Sequence, residues 1–246
     1  HFLIDVADPD EDFNAGTYMR LALDHIGRLV EGDRKIVVVG GTFLYVRALL
    51  YGLLEGVEID REFRKRLARE RDAKGIPSLH KELESIDPVS AGRINPNDYV
   101  RIERALEVHH VTGEKMSDHQ RRHGFAEQRF NALKIGLLGD RERLRRAIDE
   151  RVDSMIDRGW VEEVKAIRAK GYGPGLKPMK SIGYKRINEF LDGRLDFKAA
   201  VESIKTDTKR FSKRQSTWLR ADEEINWFNS EEGRDLVLAA CSEFFN

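Results

Sequence analysis

The chain of 246 residues contains a single cysteine, Cys241, so an internal disulfide framework is excluded and a reducing, cytoplasmic setting suits it. No apolar run approaches the roughly 20 residues needed to cross a bilayer. The densest, Ile36-Val37-Val38-Val39, is long enough only for a buried strand. Net charge is absent too. With 43 basic residues against 43 acidic ones, no whole-molecule field attracts nucleic acid, and any RNA binding has to come from local patches. The sequence holds no GxSxG motif, no dinucleotide fingerprint and no Walker A loop. Its start, His1-Phe2-Leu3-Ile4-Asp5, has no initiator Met, basic segment or cleavage site, so it reads as a chain met partway through rather than as a signal peptide. What is present is 40% hydrophobic and 35% charged residues, the balance of a globular protein with a heavily solvated surface. The length allows one large domain or two smaller ones.

Texture changes along the chain. Leu21, Ala22, Ile26, Leu29 and Val30 recur at helical spacing and predict an amphipathic helix over residues 17–31, stopped by Gly32. Residues 35–39 are short, β-branched and apolar, which predicts a buried strand of a parallel sheet. Gly40-Gly41 then turns the chain into a helix that begins at Thr42 and ends near Gly52. From residue 60 to 124 the composition becomes helical without strands. A charged helix over 60–74 is anchored by Phe63 and Leu67, Asp87-Pro88 and Asn95-Pro-Asn-Asp98 supply caps, and a helix over 98–112 is closed by Gly113. Strands are predicted again at 132–138 and 225–228. Helices are predicted at 141–158, 160–170, 184–191, about 197–219 and 234–245.

The segment from Lys205 to Arg220 is the most informative. Ile204, Thr208, Phe211, Gln215 and Trp218 share one helical face, while Lys205, Lys209, Lys213 and Arg220 share a neighbouring one, with Arg210 and Arg214 beside them. Like charges one turn apart repel. Either an anion such as an RNA backbone sits against them, or they form a solvated face with buried stems. Gly40-Gly41-Thr42 places backbone N–H groups and a hydroxyl at a strand-to-helix turn, as a ligand site or as an ordinary cap. Arg101 and Arg104 project from one side of their helix, either to clamp phosphates or to pair with Glu103, Glu107 or Asp98. His119 and His123 have i, i+4 spacing, but no intervening Glu and no nearby Cys supports zinc. By residue chemistry alone, the chain is a cytosolic α/β protein with a helical insertion and a basic C-terminal helix.

Read as strings, the residues go further. Val39-Gly-Gly-Thr-Phe-Leu-Tyr-Val-Arg-Ala-Leu-Leu-Tyr-Gly-Leu53 resembles a segment of the tRNA dimethylallyltransferases. So do Asn95-Pro-Asn-Asp-Tyr-Val-Arg-Ile-Glu-Arg-Ala-Leu-Glu-Val108 with Thr112-Gly-Glu-Lys115, Arg151-Val-Asp-Ser-Met-Ile-Asp-Arg-Gly-Trp160, Ser181-Ile-Gly-Tyr-Lys185 and Lys213-Arg-Gln-Ser-Thr-Trp-Leu-Arg220. His1-Phe-Leu-Ile-Asp5, Asp8-Pro9 and Phe13-Asn-Ala-Gly16 extend the resemblance to the first residue, collinear throughout.

The resemblance implies an α/β fold, a P-loop-NTPase-like parallel-sheet core with an all-helical insertion domain. Residues 1–59 and 125–246 would form the core and 60–124 the insertion. It also implies transfer of a dimethylallyl group from dimethylallyl diphosphate to N6 of adenosine 37 in a tRNA anticodon stem-loop, assisted by Mg2+, by a cytoplasmic protein without membrane attachment and expected to be monomeric. Thr42 would lie in the tunnel for the flipped adenine, and Arg151 on the diphosphate side. Contacts to tRNA would fall on Arg64, on Val100, Arg101, Ile102, Glu103 and Arg104, on Lys180, Ser181, Ile182, Gly183, Tyr184 and Lys185, and on Lys213, Arg214, Gln215, Ser216, Thr217, Trp218, Leu219 and Arg220. The family's phosphate-cradling loop and the segment carrying its general-base Asp are absent from these residues. Phe43 and Ala147 also depart from the common pattern. The expectation is that these 246 residues alone do not catalyse transfer, the alternative being a tRNA-binding module without catalysis.

Overall fold

The computed structural model describes residues 1–53, 59–124 and 128–246. In chain order its elements are α1 (Ala15–Glu31), α2 (Phe43–Tyr51), α3 (Arg61–Lys74), α4 (Ile76–Ile86), α5 (Pro88–Arg93), α6 (Tyr99–Thr112) and α7 (Met116–His123). They continue as β1 (Ile135–Leu138), α8 (Arg141–Asp157), α9 (Trp160–Ala169), a 3-10 turn (Pro178–Lys180), α10 (Tyr184–Leu191), α11 (Phe197–Leu219), β2 (Asn226–Asn229) and α12 (Arg234–Phe245). Two compact units are present, one formed by residues 1–49 with 130–246 and the other by residues 50–129.

Caps set the helix starts. The side chains of Asn14, Asp60, Asp98, Asp140 and Asp196 each accept hydrogen bonds from backbone N–H groups of the first turn of α1, α3, α6, α8 and α11. Gly113 ends α6 in the left-handed region at φ 74°, where a side chain would be strained.

In the first unit β1 and β2 pair in parallel, Ile135 opposite Asn226 and Leu138 opposite Asn229. In the same unit Val152, Trp160, Val164, Met179, Ile187 and Ile204 form a core between α8, α9, α10 and α11. The strand expected at residues 35–39 is not formed. That stretch is irregular, and Val37 and Val39 are 76% and 90% exposed. An apolar run becomes a strand only when a neighbour completes its hydrogen bonds. Among the described residues the single ladder is β1 with β2.

The second unit is wholly helical among its described residues. Phe63, Leu67, Leu79, Leu83, Ile102, Leu106 and Val108 fill its core. Asp87, buried at the junction of α4 and α5, accepts from Ser90 N at 3.0 Å, Ser90 Oγ at 2.6 Å and Ser117 N at 2.9 Å, so one carboxylate ties α5 to the start of α7. Burial alone would raise its pKa, but the donors from Ser90 and Ser117 outweigh that and hold it below the ordinary aspartate value. A depressed folded pKa contributes stability that is present above the unfolded value of about 3.9. That stability is lost as pH falls through the folded value. Asp87→Ala should therefore destabilise the protein by about 2–3 kcal/mol at neutral pH. In chemical denaturation, the gap between wild type and variant should close on acidification below pH 4.

Candidate nucleic-acid interface

The basic face of α11 divides in two. Its N-terminal half carries Ala200 and Ile204 into the core. There Lys205 Nζ donates to Asp153 at 2.9 Å and Lys209 Nζ to Asp149 at 2.6 Å, both carboxylates standing on α8. Arg186 of α10 pairs with Asp207 at 2.9 Å. Repulsion among these lysines is thus relieved within the protein, and no bound anion is required to explain them. Beyond Lys209 the character changes. Lys213, Arg214 and Arg220 are exposed, as are Phe211 and Trp218, and the Arg214 guanidinium lies 5.8 Å from the Phe211 ring centre. Cations interleaved with exposed aromatic rings suit phosphates and unstacked bases together.

This end of α11 meets the Gly40-Gly41-Thr42 turn. Gln215 Nε2 donates to the Gly41 carbonyl at 2.9 Å, and the Trp218 and Phe43 ring centres lie 6.1 Å apart. Thr42 is exposed, and its carbonyl accepts from Tyr45 N at 2.9 Å in the first turn of α2. Ser216 and Thr217 turn their hydroxyls back to carbonyls of their own helix, at Ser212 and Lys213, and Leu219 is half-buried. Arg151 is exposed on α8, with no ion pair among the described residues.

The loop leading into α10 belongs to the same unit. Met179 is buried beneath it, and Asn188 Nδ2 donates to the Met179 carbonyl at 3.2 Å. Lys180, Ser181 and Lys185 are exposed, whereas Ile182 is half-buried. Gly183 is buried at φ 92° against the Trp160 indole, and Tyr184 donates its hydroxyl to Glu163. Burial, reinforced by Glu163, pushes the Tyr184 phenol up to about 12. The lysines therefore face solvent while Gly183 and Tyr184 shape the loop.

In the second unit the expected residues part company. Val100 is 72% exposed, and exposed Arg101 pairs with its own cap, Asp98, at 2.6 Å. Ile102, also among the expected contacts, has its side chain fully buried in the core. Glu103 accepts from the Tyr99 hydroxyl at 2.7 Å. Glu107, fully buried, accepts from Arg64 Nε and Nη2 at 2.7 Å each, from Arg104 Nη1 at 2.6 Å and from Asp60 N at 3.1 Å. Burial would raise its pKa, but Arg64 and Arg104 overcome that and lower it. Both guanidinium groups keep about a third of their side-chain surface exposed, at 33% and 32%. The pairing of Arg104 with Glu107 was legible from spacing; the bidentate grip on Arg64 was not.

An IPP transferase family model matches residues 1–222. The chain belongs to the IPP transferase family. A tRNA dimethylallyltransferase of Syntrophobacter fumaroxidans is 44% identical over 243 residues, covering 99% of this chain and 71% of that protein. One from Desulfosudis oleivorans is 46% identical over 244 residues, covering 99% and 78%. Among solved structures, the full-length tRNA isopentenylpyrophosphate transferase of Bacillus halodurans aligns with TM-score 0.67 at 31% identity, over 99% of this chain and 79% of that one. A eukaryotic dimethylallyltransferase acting on tRNA aligns with TM-score 0.73 at 24% identity, over 95% of this chain and 62% of its own, a likeness of fold. The α/β fold with a small parallel sheet and many helices is that of this family. As for the implied Mg2+, no group of three or more His, Cys, Asp or Glu among the described residues is placed to hold a metal ion. No described helix is long and apolar enough to cross a membrane.

The packing at Gly183 is open to test. A Cβ there would overlap the Trp160 ring, and the backbone lies where side chains are strained. Gly183→Ala should lose about 2–3 kcal/mol in chemical denaturation. A wild-type denaturation curve would mean that the indole moves aside freely.

Proposed function

We propose that these residues form the RNA-recognition and adenine-accepting body of a tRNA dimethylallyltransferase, which moves a dimethylallyl group from dimethylallyl diphosphate to N6 of adenosine 37. The observation that carries this reading is the meeting of the Thr42 turn with the end of α11 whose exposed rings stand beside Lys213, Arg214 and Arg220, cations without an ion pair among the described residues. The reaction needs the adenine out of its stack so that N6 can attack the allylic carbon while diphosphate departs with the bonding electrons. N6 then loses a proton. Thr42 would hold the base edge. Lys213, Arg214, Arg220 and the lysines at 180 and 185 would hold the backbone, and Arg151 is the candidate cation towards the leaving diphosphate. Arg64, Arg101 and Arg104 would add phosphate contacts from the second unit. A monomeric, cytoplasmic protein fits a tRNA substrate.

The test is binding to an anticodon hairpin carrying adenosine 37, against the same hairpin with that base replaced, across a salt series. The adenosine hairpin should bind more tightly, with affinity falling as salt rises. Lys213→Ala should reduce the salt slope by about 1, since it removes an unneutralised cation. Lys205→Ala should leave the slope unchanged, because Asp153 already neutralises that ammonium. Equal slopes for the two variants would overturn the division of α11. No binding by wild type would overturn the RNA reading. Residues 1–246 contain no phosphate-binding loop, so on their own they should bind the hairpin and yield no prenylated product. Product from that polypeptide would show that the loop is dispensable.

A further inference from the structure

The turn that presents Thr42 has little to hold it. Residues 35 and 37–41 are exposed, Ile36 is half-buried, and residues 35–41 make no backbone–backbone hydrogen bond among the described residues. Regular structure resumes only where Tyr45 N and Val46 N reach the Thr42 carbonyl. The contacts that fix the turn from outside come from α11, one helical turn apart. Gln215 Nε2 donates to the Gly41 carbonyl, and the Trp218 ring meets Phe43. Gly40 and Gly41 differ in their surroundings. A Cβ on Gly40 would meet nothing, whereas a Cβ on Gly41 would overlap the Gln215 amide. The close approach at Gly41 is thus made by the Gln215 amide, which a Cβ there would displace.

We propose that Gln215 is a positioning residue for prenyl transfer. It does not read RNA directly; its amide holds the Gly41 carbonyl and so sets the Thr42 hydroxyl where the adenine edge must be met. This inference rests on the reading of Thr42 as the adenine contact. It follows from where the donor points. One of the two N–H groups of the Gln215 amide is engaged by a backbone carbonyl of the turn, an internal contact that exposed Lys213 and Arg214 do not make among the described residues. Trp218 against Phe43 closes the second point of the same clasp. Two contacts one turn apart on a rigid helix hold a loop more firmly than either alone.

The experiment uses the full natural protein that carries these residues. Three changes are compared: Gln215→Met, which keeps the shape and removes the donor; Gln215→Lys, which keeps a donor; and Gly41→Ala, which pushes the amide away from the turn. Gln215→Met should lower kcat roughly tenfold, the scale of one lost hydrogen bond at a positioned group. The KM for the hairpin should stay within about twofold. Gln215→Lys should recover most of that rate. The double variant Gly41→Ala with Gln215→Met should be no slower than the worse single one, since both break one contact. In nuclear magnetic resonance, the Gly41 carbonyl carbon should shift in Gln215→Met and remain near its wild-type position in Gln215→Lys.

A raised KM with unchanged kcat would make Gln215 a direct RNA contact and overturn the proposal. Additive losses in the double variant, or a Gly41 carbonyl resonance untouched by Gln215→Met, would overturn it equally. If the wild-type protein transfers no prenyl group, the functional reading itself fails. The carbonyl resonance still decides whether the clasp exists.

Discussion

The first unit depends on how one long helix carries its charge. Lysines a turn apart on α11 would push each other away, and the helix holds because α8 offers Asp149 and Asp153 at matching intervals. These half-exposed pairs contribute little to stability individually. Their geometric effect is larger. They set the rotation of α11 on α8 so that Ala200 and Ile204 face the core, and they leave the second half of the helix as an arm with cations and rings exposed. With α11 turned otherwise, Gln215 and Trp218 would not meet Gly41 and Phe43.

The two kinds of basic residue found here look alike in sequence and differ in chemistry. Lys205 and Lys209 are internal counter-ions; Lys213, Arg214 and Arg220 are exposed and make no ion pair among the described residues. A zero net charge is compatible with nucleic-acid binding because neutralisation is local: among the described residues, the ion pairs of α11's basic face lie on its first half, at Lys205 and Lys209. In the second unit the arrangement is reversed. A buried acid, Glu107, supports Arg64 and Arg104, which keep an outward surface.

Helices were legible in the sequence because their causes are local. The Asp residues at 60, 98, 140 and 196 and the apolar spacing of α1 and α11 lie within a few positions of what they control. The short helices α4, α5 and α7 were visible only as helical texture, their apolar sets being too brief to show a period. Residues 36–39 misled because a strand is a property of two segments, and composition describes only one. Collinear strings marked the candidate site, whereas its connections were hidden. The partners of Lys205 and Lys209 lie 52 and 60 positions away, and the link from Gln215 to Gly41 spans 174. No periodicity reaches that far. Ile102 shows that a residue inside a matching string can also be a core residue, which the string itself does not reveal.

Glu107 accepts four hydrogen bonds on one buried carboxylate, three of them from arginine side chains. A free arginine carries about 2 kcal/mol of rotamer entropy, which it forfeits when it grips an anion. Arg64 and Arg104 forfeit much of theirs during folding, before any ligand arrives. An anion meeting these two side chains would find them already ordered, so association at this point should draw less on conformational freedom than it would at a surface lysine.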